Sequence, residues 1–485
     1  MKPPKSFLWH DYETFGANPF ADRPAQFAAL RTDADLNPVA DPVVWYCAPA
    51  DDVLPHPEAC LITGITPQAA RREGLVETDF AQRILDEMSQ PGTCSAGYNS
   101  IRFDDVFTRN LLYRNLRDPY EREYRNGNSR WDLIDLARMC YALRPDGVEW
   151  PMHEAGRPSF RLEDLTAANG ISHEGAHDAL SDVWATIGLA RRLRSAQPRL
   201  FQWALDMRDQ QQIAGLLDTV APKPVLHTSA RIPAERGCTA IVMPLAVVPN
   251  QPKAVVVFDL SADPAPLVRE PAEMIHDLVF TAAEDLPDDV DRLPLKVVRT
   301  NHVPMLAPLA TLKGVDPARI RLDPEKCLEH ARQLMPALTA VQAKVAEVFG
   351  APYAAPDDRS DPDRMLYSGS FFSPADRHLM NKILKIPPTE LGGHLWSFQD
   401  TRLPLMLFRY RARNYPDTLS AKEAETWDRD RKARLVETDD PDYFTLHDFR
   451  AAVARAREER RDQADALRIL DRLDEWVTEI GLERL

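Results

Sequence analysis

Five residues, held in three separated stretches, carry the chemistry open to this sequence. The first stretch is FLWHDYETFG, beginning at Phe7, where Asp11 and Glu13 stand one residue apart inside an apolar and aromatic run. On a strand, residues i and i+2 project to the same side. Two carboxylates placed together in a low-dielectric setting repel, and at least one tends to stay protonated. A divalent cation removes that conflict by supplying positive charge. Carboxylate oxygens suit Mg2+ or Mn2+ rather than zinc. Read alone, D-x-E is more simply an edge strand with both acids in solvent.

The second stretch is GYNSIRFDD, with Asn99, Phe103 and Asp104. Here a strand from Thr93 ends near Asn99 and Asp104 opens the next helix, a place where the helix dipole favours an acid in any case. The third is HDALSDVWAT, with His177 and Asp182 five residues apart. On one continuous helix they would diverge by ~140°. They converge only if His177 sits on the loop just before the helix and Asp182 lies inside it. A histidine before a helix also reads as a surface or capping residue.

The elements that must position these residues follow from hydrophobic periodicity. Strands are expected at Ser6–Thr14, Pro38–Tyr46 and Thr93–Asn99. Helical spacing appears at Phe80, Ile84, Leu85 and Met88; at Phe103, Phe107 and Leu111; at Leu133, Leu136, Ala137 and Cys140; and from Ala179 to Ala190. Ser159 is placed to cap a short helix through Ala168, with Gly170 after its end. This alternation indicates an α/β domain with a mixed sheet over residues 1–198. Residues 199–351 form a strand-rich domain, in which TAIVMPLAVV and KAVVVFDL flank the turn-like PNQP. A strand from Leu293 and a helix over Pro324–Val348 complete it. Ala351–Arg364, rich in Pro and Asp, reads as a linker. Residues 352–485 are helical, with Leu446, Phe449 and Val453 sharing one face and Leu467, Leu470 and Val477 another.

Composition narrows the field. The chain has 485 residues, 44% hydrophobic and 27% charged, which is ordinary for globular proteins. No run approaches the roughly 20 apolar residues of a membrane span, and the first residues lack the apolar run of a signal peptide. A cytoplasmic protein without membrane association is expected. The six cysteines are scattered with no C-x-x-C pair, against a disulfide framework or a thiolate zinc site. The net charge of −15 disfavours a nucleic-acid partner on average, although an acidic protein can still carry a basic groove.

Taken together, the order D-x-E, N-x-x-x-F-D, H-x-x-x-x-D resembles the DEDDh 3′-5′ exonucleases. The flanking words HDYETFG, DRPAQFAALRTD, LITGITPQ, NSRWDL, YALRPDG, SFRLEDLT and RARNYP look like the exodeoxyribonuclease I family. That resemblance implies a ribonuclease H-like exonuclease domain (1–198), a β-rich Src-homology-3-like domain (199–351) and an all-α C-terminal domain (352–485). It implies processive 3′-to-5′ hydrolysis of single-stranded DNA to 5′-mononucleotides, in repair and recombination. Two Mg2+ ions, with Mn2+ as the alternative, would be held by Asp11, Glu13, Asp104 and Asp182. His177 would be the general base, Glu13 would also meet the terminal 3′-hydroxyl, and Arg161 would meet a phosphate. A monomer that docks with single-stranded DNA-binding protein is expected.

Single strands are held by positive grooves with aromatic platforms. Candidates are Arg109, Tyr113, Arg114, Tyr120, Tyr124 and Arg125; Lys296, Arg299 and His302; and Arg409, Tyr410, Arg411, Arg413 and Tyr415. Each reads equally as a solvated charge or half-buried aromatic. Deletion of 352–485 is expected to shorten digestion runs more than it harms single-nucleotide chemistry. Two other readings remain: an RNA-trimming or proofreading exonuclease, against which the extra length stands, and a catalytically inactive nucleic-acid-binding scaffold, against which all five residues stand.

Overall fold

A computed structural model describes residues 3–153, 156–173, 175, 177–287, 290–350, 361–438, 440 and 443–482. The chain divides into two compact units. One comprises residues 4–129, 174–184 and 356–485, and the other chiefly residues 130–173 and 185–355.

The first unit is built on four strands: β1 (Ser6–Thr14), β2 (Pro24–Thr32), β3 (Val43–Tyr46) and β4 (Thr93–Gly97), in the order β3-β2-β1-β4. β1 runs antiparallel to β2 and parallel to β4, so the sheet is mixed. The aromatic and aliphatic residues of β1 make it a buried central strand. Leu8, Tyr12, Phe27 and Ala29 pack with Phe80, Ile84 and Met88 of the helix Glu77–Met88 and with Leu111 and Leu112 of the helix Asp104–Arg114.

The C-terminal helices belong to this same unit. Phe15, Leu54, Cys60 and Ile65 share a core with Leu446, Phe449, Leu470, Leu473 and Trp476. Tyr113 and Leu116 share another with Met380, Leu403, Met406 and Tyr410. Buried charges reinforce the junction. Arg413 Nε donates to Asp52 Oδ2 at 2.9 Å, and its Nη2 donates to Asp363 Oδ2 at 2.5 Å. Arg409 bonds Asp361 and Asp363, and Arg434 bonds Asp52. Burial alone would raise the Asp52 carboxyl, but Arg413, Arg434 and Arg23 outweigh it and hold it far below the usual carboxylate range. Asp363 is held low in the same way by Arg413 and Arg409 against the effect of burial.

The second unit contains a five-stranded antiparallel sheet. After a short strand β5 (Ser129–Asp132), at which the division between units falls, come β6 (Val225–Thr228), β7 (Thr239–Val247), β8 (Ala254–Asp259), β9 (Leu295–Arg299) and β10 (Met305–Pro308). Their order is β10-β6-β7-β8-β9. The hairpin expected around PNQP is present, with Asn250 in the left-handed region at φ 62°. Pro244 is tolerated inside β7 because the ladder slips its register between Pro244 and Ala246.

Several expected elements differ in detail. The strand over Pro38–Tyr46 is confined to Val43–Tyr46, since Pro42 cannot donate to a ladder. The helix over Pro324–Val348 is two helices, Pro324–Leu334 and Leu338–Gly350, separated at Pro336, which removes an intrahelical bond. Ser159 does not cap the helix Leu162–Ala168; Arg161 occupies the cap position, and the Ser159 hydroxyl donates to Asp164. Of the linker Ala351–Arg364, residues 351–360 lie outside the described residues. Asp361–Arg364 is instead a structured segment, with Asp361 and Asp363 in the ion pairs above.

The shared cores also overturn the expected outcome of deletion. Removing 352–485 would uncover Phe15, Leu54 and Ile65 and deprive Asp52 of Arg413 and Arg434, leaving only Arg23 near it. The truncated chain is therefore predicted to aggregate, not to retain single-nucleotide cleavage; a monomeric, cooperatively melting fragment would contradict this. Breaking one buried pair with Asp52→Ala would leave Arg413 under-compensated and cost about 3–5 kcal/mol. Because the Asp52 and Asp363 carboxyls are depressed in the fold, their contribution is present above the unfolded value near pH ~4 and is lost as pH falls below it. Denaturant melts from pH 7 to pH 3 should show a steeper loss in the native chain than in Asp52→Ala; parallel curves would contradict the assignment.

Candidate active site

β1 pairs with β2 along its whole length but registers with β4 only from Ser6 to Trp9. β1 therefore outruns β4. Beyond that point the Tyr12 backbone N–H donates to Asp104 Oδ1 at 3.1 Å, so a carboxylate takes the place of the next strand residue. The turn that brings Asp104 there depends on two residues. A Cβ on Gly97 would meet the His10 carbonyl oxygen at 2.8 Å, so the chain can pass only as glycine. Asn99 then adopts φ 63°, a left-handed conformation that asparagine tolerates. This is why β4 stops at Gly97 and not at Asn99.

On the other flank Asp11 lies opposite Ala28 and Glu13 opposite Gln26. The buried Gln26 side chain accepts a hydrogen bond from the Ala179 N–H at 3.2 Å, which fastens the start of the helix Ala179–Ala196 beside Glu13. Asp178 caps that helix, its Oδ2 accepting from the Ser181 N–H at 3.2 Å. Asp182 follows one turn in. The result is that Asp11, Glu13 and Asp182 each offer a carboxylate oxygen within 4.8 Å of the others. Asp104 stands outside that trio, as its neighbour: it is the strongest charged influence on Asp11.

Burial raises the Asp11 carboxyl well above its usual range, and Asp104, Glu13, Asp182 and Asp178 raise it further. Glu13 is pushed up to about 9, first by burial and then by Asp182, Asp104 and Asp178. Each of these causes has the same sign, so the cluster favours binding a positive charge. Its donors are all carboxylate oxygens, the set preferred by hard divalent cations. The residues present therefore fit such ions.

His177 is exposed and lies just before the Asp182 helix, at φ 68°. This is the loop placement that the five-residue spacing requires. A non-glycine residue held at that φ is uncommon.

The candidate strand contacts fall differently. Arg109 is buried, and its guanidinium forks onto Glu123 at 2.7 and 2.9 Å while Nη1 donates to the Tyr367 hydroxyl. Its guanidinium also lies over Tyr120 at 5.4 Å. Arg114 is buried on Glu77, Arg411 pairs with Glu423, and Arg409 and Arg413 are in the ion network. These arginines neutralise carboxylates inside the unit. Tyr124 is 65% exposed. In the second unit Arg161 is exposed and pairs with Glu163, Lys296 donates to Ser229 Oγ, and Arg299 donates to Gln251.

Sequence reasoning missed Gln26 and Asp178, and also an aromatic group. Phe371 is 83% exposed and Tyr367 48%; Phe371 contacts Tyr120 at 6.1 Å and Tyr367 contacts Phe20 at 5.8 Å. Such faces can stack bases. Asp178 was legible as a helix cap, but SGSFFS offers no periodicity from which to single out Phe371.

Relieving the repulsion gives a direct check. In chelator, Asp11→Asn should raise the melting temperature by about 2 °C or more, since a roughly 1 kcal/mol conflict is removed. Added Mg2+ should then stabilise the native chain more than the variant. A variant less stable than the native chain in chelator would contradict the account.

Three family comparisons cover most of the chain. Residues 8–190 match a family described as exonuclease, 208–351 the exonuclease I SH3-like domain, and 360–480 the exonuclease I C-terminal domain. The exodeoxyribonuclease I of Escherichia coli (strain K12) is 45% identical over 427 residues, 88% of this chain and 89% of that protein. The structure of E. coli exonuclease I in complex with a dA16 oligonucleotide superposes with a TM-score of 0.92 at 42% identity, covering 98% of this chain and 100% of that one. A structure of SSB/exonuclease I with an inhibitor gives 0.88 at 41% identity, covering 98% and 100%. Among the described residues, no helix is long and apolar enough to cross a membrane. An exonuclease domain, an SH3-like domain and a helical C-terminal domain, at this identity and coverage, place the chain in the exodeoxyribonuclease I family of hydrolases, whose exonuclease chemistry requires divalent metal ions.

Proposed function

We propose that this chain removes 5′-mononucleotides processively from the 3′ end of single-stranded DNA. The observation that carries this reading is the meeting of Asp11, Glu13 and Asp182 within 4.8 Å, beside Asp104 and next to the loop bearing His177. Asp11, Glu13, Asp104 and Asp182 would hold two Mg2+ ions, with Mn2+ able to replace them. Cations bound there supply an activated water and charge stabilisation for the leaving 3′-oxygen.

The chain's own groups do the rest. His177, exposed on the loop before its helix, takes the proton from the attacking water. Its anchorage through Asp178 and Gln26 fixes that loop relative to the acids. Glu13 meets the terminal 3′-hydroxyl. Arg161 contacts a phosphate, where a guanidinium can fork onto two oxygens. Arg109 sits behind Tyr120 and Tyr367, holding those aromatic faces in place, and Tyr120, Tyr124 and Phe371 stack bases.

We read the chain as three sequence domains, 1–198, 199–351 and 352–485; family matches over 8–190, 208–351 and 360–480 favour a three-part division. Docking with single-stranded DNA-binding protein is supported by the SSB/exonuclease I complex. A monomer acting in the cytoplasm, in DNA repair, completes the reading.

Digestion of a 5′-labelled single strand with Mg2+, in the presence of excess unlabelled trap strand, should convert full-length strand to short limit products with few intermediates, while a 3′-blocked strand and an RNA of the same sequence should persist. Equal loss of RNA would favour an RNA-trimming enzyme. His177→Ala should slow cleavage by about 10²-fold or more with oligonucleotide binding retained; undiminished turnover would remove His177 from the mechanism. Phe371→Ala should weaken oligonucleotide binding about fivefold or more, and unchanged affinity in a fluorescence titration would exclude it from the stacking surface.

A further inference from the structure

Asp104 differs from the other acids in how it is held. Asp11 and Glu13 are fixed by a central strand, whereas Asp104 begins a helix at a turn. Its carboxylate is joined to the central strand by the hydrogen bond it accepts from the Tyr12 N–H. The position of the helix start relative to β1 therefore decides where that carboxylate lies.

Two side chains join those elements. Thr108 Oγ1, one turn after Asp104, donates to the Asp104 backbone carbonyl at 2.8 Å. It also lies 2.9 Å from the Tyr12 hydroxyl. A carbonyl can only accept, and a threonine hydroxyl has one proton. That proton is used on Asp104, so the Tyr12 hydroxyl must donate to Thr108. The two hydrogen bonds thus run in one direction, from Tyr12 to Thr108 to the Asp104 main chain. Thr108 and Tyr12 are 0% and 4% exposed, so water does not readily substitute for a lost partner. Tyr12 stands between Asp11 and Glu13 in sequence and points to the opposite face of the sheet, into the core. It therefore touches Asp104 twice: its N–H holds the carboxylate, and its hydroxyl, through Thr108, holds the backbone.

We infer that Tyr12 and Thr108 are positioning residues, a hydrogen-bonded clamp that sets the Asp104 carboxylate against Asp11 and Glu13 for cation binding. The inference rests on the proposed metal site and extends it to two residues outside the carboxylate set.

The test is Mn2+ affinity, read by electron paramagnetic resonance of the free ion, with melting temperature in chelator measured in parallel. Thr108→Val keeps the shape and removes the hydroxyl; Tyr12→Phe removes the donor. Each should weaken Mn2+ binding about three- to tenfold, the range of one lost hydrogen bond, and Thr108→Ser should restore it. Should Thr108→Val fail to fold, Tyr12→Phe alone carries the test. A lowered melting temperature with unchanged Mn2+ affinity in Tyr12→Phe would show a merely structural contact and overturn the inference. Asp11→Asn is the reference: if it too binds Mn2+ like the native chain, the metal-site reading fails and the clamp falls with it.

Discussion

The repulsion between clustered carboxylates is the constraint on which the site depends. Three acids from two distant parts of the chain share a space of a few ångströms, with a fourth beside them. Left free, they would separate. They are kept together by backbone: a central strand holds Asp11 and Glu13, a capped helix holds Asp182, and an open strand flank holds Asp104. The same unit shows the opposite solution elsewhere. Asp52 and Asp363 are also buried, but they are matched by arginines and their carboxyls are driven down. Asp11 and Glu13 are driven up. Acids neutralised internally serve stability, and acids left in conflict are free to take a cation.

That contrast separates the arginines as well. FRYRARNYP reads as a basic, aromatic strip suited to a nucleic-acid strand. In the fold Arg409, Arg411 and Arg413 face carboxylates of Asp361, Asp363, Asp52 and Glu423. Charge spacing alone does not distinguish a groove lining from an internal ion pair, because the partners lie tens or hundreds of residues away. The preceding LPLMLF was the local sign that this helix is buried.

Much of the catalytic half was legible. The D-x-E spacing, the helix start at Asp104 and the loop position of His177 follow from strand and helix periods. What escaped was long-range. Gln26 looks like any polar residue in a strand, and only its register opposite Glu13 shows that it reaches the Ala179 N–H. The joining of the C-terminal helices to the first strands in common cores could not be read, since a Pro/Asp-rich stretch at Ala351 resembles a boundary. Compactness there is decided by tertiary partners: Phe15 and Leu54 need Phe449 and Trp476 as much as their sequence neighbours.

The central claim, that the acids form a cation site built for a strand end, is tested most directly by diffraction from crystals soaked with Mn2+ and a short single-stranded oligonucleotide. Anomalous peaks lying between Asp11, Glu13 and Asp182, with the 3′ terminus beside them, are predicted. Ordered oligonucleotide with Mn2+ peaks only elsewhere on the surface, or with the 5′ end at Asp11, would contradict the account.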